Sequence, residues 1–176
     1  MPWSSVADNV GLPLKLQGLS ARARAPRVEA TLQRVGLQDF AQALPHELSG
    51  GMQMRASIAR GLITEPRLIL LDEPFGALDE ITRQHLDDAL LDIWSAGGLT
   101  VVFVTHSLSE AAYLGTRVCV MGRHAGRIAF EDTEHQPWPR PEDHRTSPAF
   151  NERVRRLQDG LRQASGLLQP GEPHHT

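Results

Sequence analysis

Two adjacent acids, Asp72 and Glu73, stand at the end of the apolar run "RLILL", and Pro74 stops that run at once. Such a run reads as a buried strand, and acids at the carboxyl end of a parallel strand lie where open α/β sheets bind ligands. Side by side they can divide labour, Asp72 holding a magnesium ion through its waters and Glu73 aligning and deprotonating an attacking water. The competing reading is an acidic loop after a core strand. His106 ends a second apolar run, "VVFVT", and should emerge on the same rim. An imidazole there hydrogen-bonds a γ-phosphate oxygen and orients the base; a lone histidine after a strand is otherwise structural. The turn Ser49-Gly50-Gly51 is of a third kind. Ser49 caps a helix, the glycines let the backbone approach a ligand, and the first amides of the helix form an anion site. It reads alternatively as a flexible helix entry. Arg55 and Arg60 on the helix behind it strengthen the anion reading, with solvated positions as their alternative.

Three regions of different pattern carry these residues. Residues 1–62 read as a helical region with short breaks. Ser4 or Ser5 caps a segment bearing Val6, Val10 and Leu14. Pro26 suits a first turn ahead of Val28, Leu32 and Val35, with Gly36 as the stop. Ser49 begins another helix, with Met52, Ala56, Ala59, Leu62 and Ile63 on one face. Residues 63–131 alternate short apolar runs with helical ones. "RLILL" and "TVVFVT" are continuous, as expected for strands covered on both faces of a mostly parallel sheet. Residues 80–95 between them carry Ile81, Leu86, Leu90, Ile93 and Trp94 at near-helical spacing, and "RVCVM" and "GRIAF" follow as two more strands joined by "GRHAG". Strand–helix–strand units put this region in the α/β class. Residues 132–176 change composition to a proline- and charge-rich extended connector, an amphipathic helix over "AFNERVRRLQDGLRQASGLL", and a frayed end. His174 and His175 in that end have no ligand spacing with a third residue and read as a solvated tail.

Length and composition narrow the function classes. A chain of 176 residues suits one domain with a sizeable core, and 40% apolar residues with 22% charged ones are ordinary for a globular protein. The net charge of −3 gives no basic footprint, which argues against nucleic acid as a partner. Cys119 is the one cysteine, so no intrachain disulfide forms, and its place in "RVCVM" reads as a buried, inert strand position in a reducing compartment. No apolar stretch approaches the ~20 residues of a membrane span, and "MPWSSVADNV" lacks the basic and apolar regions of a secretory signal. The expectation is a cytoplasmic protein that meets membranes through a partner.

Taken together, the motifs resemble a known family. "LSGGMQMRASIARGL" looks like the signature motif of ATP-binding cassette (ABC) proteins. "LILLDEPFGALD" looks like their Walker B strand, catalytic glutamate and D-loop, and "VVFVTH" like their switch-histidine strand. "MPWSSVADNVGLPLKLQG", "THSLSEAAYLGTRVCVMGRHAGRI" and "PRPEDHRTSPAFNERVRRL" are similar to the ATPases of nitrate, sulfonate and taurine importers. The resemblance runs from residue 2 to about 160. It implies a P-loop NTPase fold in incomplete form: the helical subdomain plus the carboxyl-terminal part of the parallel-sheet core. By position it implies that Ser49, Gly50 and Gly51, with Met52 and Gln53 beside them, bind an ATP held mainly by the opposite subunit. Asp72 serves the magnesium ion, Glu73 is the base, His106 is the switch, and Asp79 couples the two sites across the dimer. Met52 stands where many relatives carry glutamine, and Ser107 where aspartate often follows the histidine. The implied partners are a second ATPase subunit, membrane permease subunits at the inner face of the membrane and, indirectly, an external solute-binding protein.

One part of the machinery has no counterpart in these residues. A phosphate cradle needs a glycine-rich loop ending in Lys-Ser or Lys-Thr, and no "GxxxxGK[ST]" occurs; the single lysine, Lys15, follows no glycine loop. In the family that loop lies upstream of the segment matching "PW", so the resemblance implies a chain truncated at its N-terminus. It also puts the missing strand between "VVFVT" and "RVCVM", whose edges would then stand unpaired. The expectation is a cassette fragment that is poorly stable alone and has no turnover, with donation of its signature motif to an intact partner as the alternative role. ATP hydrolysis by the isolated, purified chain is the measurement that refutes it.

Overall fold

Ser5 starts the first helix. Its side chain accepts a hydrogen bond from the backbone N–H of Asp8, and α1 runs Val6–Leu16 with Asp8 in the first turn, where the helix dipole favours an acid. Val6, Val10 and Leu14, four residues apart, are buried along one stripe. The computed structural model describes residues 1–122, 127–134 and 138–165. It divides into two compact units, Met1–Val104 and Thr105–Thr176.

The second helix corrects an expectation. Helix α2 spans Ala21–Arg34 with Ser20 as its cap, so Pro26 lies in the interior rather than in the first turn. The stronger start signal was the serine six residues upstream, and Pro26 forgoes the hydrogen bond to the carbonyl one turn earlier. Gly36 ends the helix as expected. At φ +64 it lets its own N–H reach the Gln33 carbonyl (3.1 Å) and the Leu37 N–H reach that of Leu32 (2.9 Å), a Schellman closure. Helix α3, Gly50–Leu62, begins at Ser49 and buries Ile58, Ala59 and Leu62, packing against α1 and α2.

Strand β1 (Leu68–Asp72) leads through α4 (Glu80–Ser95) to β2 (Thr100–Val104). The strands pair in parallel from Leu68↔Thr100 to Asp72↔Val104, the pairing that a helical crossover permits. Among the described residues one face of the pair is covered and the other is open. Leu68, Leu70, Val102 and Val104 are 50%, 69%, 47% and 48% exposed, whereas Ile69, Leu71, Val101 and Phe103 are half-buried. The expected two-sided cover is therefore not met among the described residues, although the apolar runs were written for it.

In the second unit, α5 (Leu108–Leu114) precedes the antiparallel strands β3 (Arg117–Met121) and β4 (Ile128–Thr133), and α6 (Pro148–Ala164) packs on all three. Ser147 caps α6 and Pro148 takes its first position, so the helix starts one residue earlier than the expected "AFNERVRRL" segment. Cys119 is exposed, not buried. Strand alternation turns Val120 inward and leaves Cys119 opposite Glu131 on the outer side. Residues 132 and 133 belong to β4. The described part of the proline-rich connector is tied down rather than extended: Arg140 donates to the Tyr113 carbonyl, and Arg145 lies 3.3 Å over the Tyr113 ring. The "RHAG" portion of the strand joint, residues 135–137, the end of the last helical segment and the His174–His175 tail lie outside the described residues. No described helix is long and apolar enough to cross a membrane.

Close packing of α6 depends on Gly160, where a Cβ would press on the Phe130 ring at Cδ1 and stand 3.0 Å from its Cβ. Gly160→Ala is expected to destabilise the second unit by about 1–3 kcal/mol through overpacking, read as a lowered denaturant midpoint with unchanged slope.

Candidate functional site

The serine turn is held from behind. A single 3-10 turn, Pro45–Glu47, leads to buried Leu48, and Gln53 sends its amide back to the carbonyls of Pro45 (2.9 Å) and Leu48 (3.2 Å). Ser49 sits in extended conformation with its Oγ accepting from the Met52 N–H at 3.3 Å. The start of α3 thus offers backbone amides and the positive end of a helix dipole beside an exposed serine. Met52 is half-buried and Gln53 exposed. Arg55 donates to the Val35 carbonyl (3.2 Å) at the end of α2, while Arg60 is exposed.

The two glycines serve packing. Gly51 is buried, and a Cβ there would stand 2.7 Å from Cγ2 of Thr82 in the first turn of α4. At Gly50 the nearest atom is Leu78 Cδ2, at 3.0 Å. The serine turn and the loop that follows the acid pair are therefore direct neighbours within the first unit. Sequence reading gave these glycines to ligand approach and missed Thr82; a glycine pair one residue inside a helix start is the signal that could have suggested a helix contact.

Asp72 is the last residue of β1 and Glu73 the first beyond it, both exposed. The Glu73 N–H continues the ladder by donating to the Val104 carbonyl at 2.9 Å, but its φ of +44 is left-handed. A non-glycine residue pays ~1–2 kcal/mol for that conformation. Phe75 supplies the anchor: it is 1% exposed and its ring centroid lies 5.4 Å from that of Phe103 on β2. Gly76 N–H closes back on the Glu73 carbonyl (3.2 Å) and Leu78 N–H on that of Phe75 (3.1 Å). Asp79 then caps α4, its Oδ1 accepting from the Thr82 N–H at 2.9 Å, and Arg83 donates to the Leu78 carbonyl at 2.9 Å. Hydrogen bonds from Thr82 hold the Asp79 carboxyl below its ordinary value of 3.8.

His106 belongs to the second unit, two residues past the end of β2, and is exposed. Thr105 Oγ1 accepts from the Ser107 N–H (2.9 Å) and donates to the buried Glu110 carboxylate, and Ser107 Oγ accepts from the Glu110 N–H (3.3 Å). His106 is thus bracketed by a cap that sequence reading did not single out, although Ser107-x-x-Glu110 has the spacing of a capping box.

No group of three or more His, Cys, Asp or Glu among the described residues could enclose a metal. Asp72 still fits magnesium, which keeps several of its waters and takes only one or two carboxylates alongside phosphate oxygens. For ATP the fit is partial: the start of α3 suits a phosphate, and no loop of cradle sequence occurs in the chain.

Residues 1–76 match a family described as ABC transporter. The taurine import ATP-binding protein TauB of Rhizobium johnstonii is 50% identical over 128 residues, 73% of this chain and 49% of that protein. The aliphatic sulfonates import ATP-binding protein SsuB of Bacillus licheniformis is 42% identical over 149 residues, 85% of this chain and 56% of that protein. The dimeric structure of MJ0796, a bacterial ABC transporter cassette, has a TM-score of 0.63 at 34% identity, covering 76% of this chain and 58% of that one. The chain spans about half the length of the curated relatives it matches.

Gly51→Ala is expected to cost about 1–3 kcal/mol, because the methyl group meets a branched carbon of Thr82. Gly50→Ala is expected to be near neutral, since Leu78 Cδ2 ends a flexible side chain and alanine gains up to ~1 kcal/mol of helix propensity. Urea midpoints of the two variants separate these outcomes. The Asp79 cap contributes stability above the ordinary carboxylate value of 3.8 and loses it as pH falls through the lowered native value. Asp79→Asn, which still caps, should flatten that acid limb in thermal unfolding scans.

Proposed function

The chain belongs to the ATP-binding proteins of ABC transporters, and on that premise we propose that it is the energy-coupling part of an importer for taurine, an aliphatic sulfonate, nitrate or a similar small anion. It works at the cytoplasmic face of the membrane against permease subunits. The observation that carries the reading is the junction of Gly50 and Gly51 with Leu78 and Thr82, which joins the signature turn to the loop running from Asp72 to Asp79 in one compact unit.

In this reading Ser49 and the first amides of α3 bind the γ-phosphate of an ATP held mainly by a second ATPase subunit. Gln53 acts by fixing the turn that presents Ser49. Asp72 holds the waters of a magnesium ion, whose charge neutralises phosphate oxygens when bound. Glu73 orients a water and takes its proton as the water oxygen bonds to the γ-phosphorus and the bond to the bridging oxygen breaks. His106 donates to a γ-phosphate oxygen, and Asp79 couples the signature turn to the facing site through its place at the start of α4.

A second reading has its own observation. No cradle sequence occurs in the 176 residues, so a module made of them alone serves by lending Ser49–Gly51 to an intact partner's ATP. Calorimetric titration with Mg-ATP, run on the chain alone and on its mixture with a complete importer ATPase, distinguishes the two. Binding that appears only in the mixture and is lost in Ser49→Arg supports lending; tight binding by the chain alone rules it out. In any assembly that turns over, Glu73→Gln is expected to lower kcat by about 10²–10⁴ with nucleotide binding retained. An unchanged kcat would remove Glu73 from the role of base.

A further inference from the structure

We propose that Arg153 is a positioning residue for His106, acting through the short helix α5 that follows it. Helix α5 has seven residues, well below the length at which a helix persists in water by itself. Its ends must therefore be held by other groups. The cap formed by Thr105, Ser107 and Glu110 holds the start and brackets His106.

The far end is held by guanidinium groups. Of the carbonyls that a helix C-terminus leaves open, that of Ala111 takes the Gly115 N–H (3.0 Å), that of Ala112 takes Arg153 Nη1 (2.8 Å) and that of Tyr113 takes Arg140 Nη2 (2.5 Å). Cations at this end also complement the dipole.

Arg153 is 0% exposed and lies on α6, about 40 residues beyond the carbonyl it holds. Its Nε donates to Asp132 Oδ2 at 2.9 Å, so one fork ties α6 to β4 and to α5. A lysine would keep the charge beside Asp132 without spanning both acceptors, because an ammonium has no fork. Arg156 pairs with Asp132 (3.2 Å) and Glu134 (2.9 Å) and, among the described residues, makes no hydrogen bond to α5. The two arginines share an ionic network and differ in their hold on the helix behind His106.

This inference rests on the reading of His106 as a γ-phosphate group, and its test is made without turnover. In the full chain labelled for NMR, Arg153→Lys is expected to raise amide exchange in α5 by at least about tenfold and to shift the His106 ring signals. The β3–β4 amides should keep their protection. Arg156→Gln, which weakens the same network, should leave α5 and His106 unchanged. Unmoved His106 signals in Arg153→Lys overturn the proposal, as does equal loss of protection in α5 and the β3–β4 pair, or an equal response to Arg156→Gln. A His106→Ala variant that keeps full turnover in a complete assembly would sink the functional reading of that histidine and leave the anchoring result standing.

Discussion

The start of α3 rests against the first turn of α4 because Gly51 has no side chain. Any Cβ there would press on Thr82, and moving α4 away would carry Asp79, Leu78 and the loop before them with it. That single close approach sets where the capping serine of one helix stands relative to the capping acid of the other. Both caps are local, satisfied by amides three residues on; their mutual placement is not. This junction sets the Ser49 turn directly beside the loop that follows the acids.

The acid loop balances strain against burial. Holding Glu73 at φ +44 costs ~1–2 kcal/mol, an amount that one buried phenylalanine and one backbone hydrogen bond together exceed. Phe75 is that phenylalanine, wedged on Phe103, and the Val104 carbonyl accepts that bond. The strand therefore ends with an exposed carboxylate on a backbone that cannot relax without withdrawing a ring from the core.

The second unit sets a buried charge network beside its apolar core of Tyr113, Val120, Phe150 and Leu157. Buried Arg153 is met by Asp132, by the Glu134 carboxylate at 3.4 Å and by the Ala112 carbonyl; removing one partner of such a buried pair typically costs ~3–5 kcal/mol. One nitrogen of Arg153, Nη2, finds no hydrogen-bond partner among the described groups, so the fork is committed to two acceptors rather than fully satisfied. Around it, Tyr113 is stacked by Arg145 and packed edge-on by Phe150, which fastens the connector that composition alone made look extended.

The four strands, the helix starts at Ser5 and Ser49, the glycine stop after α2 and the three motifs were legible in the sequence, because each depends on residues within a few positions of one another. What depends on contacts distant in the chain was not. Cys119 faces outward through strand register, Gly51 serves a neighbouring helix, and Arg153 reaches a carbonyl on another helix. Apolar runs record that a strand was built for cover, yet only the fold decides which face receives it, and here one face of β1 and β2 stays open among the described residues. Local hydrogen bonds and steric limits are written into neighbouring residues; register, close approach and buried charge pairs are settled by which segments meet in space.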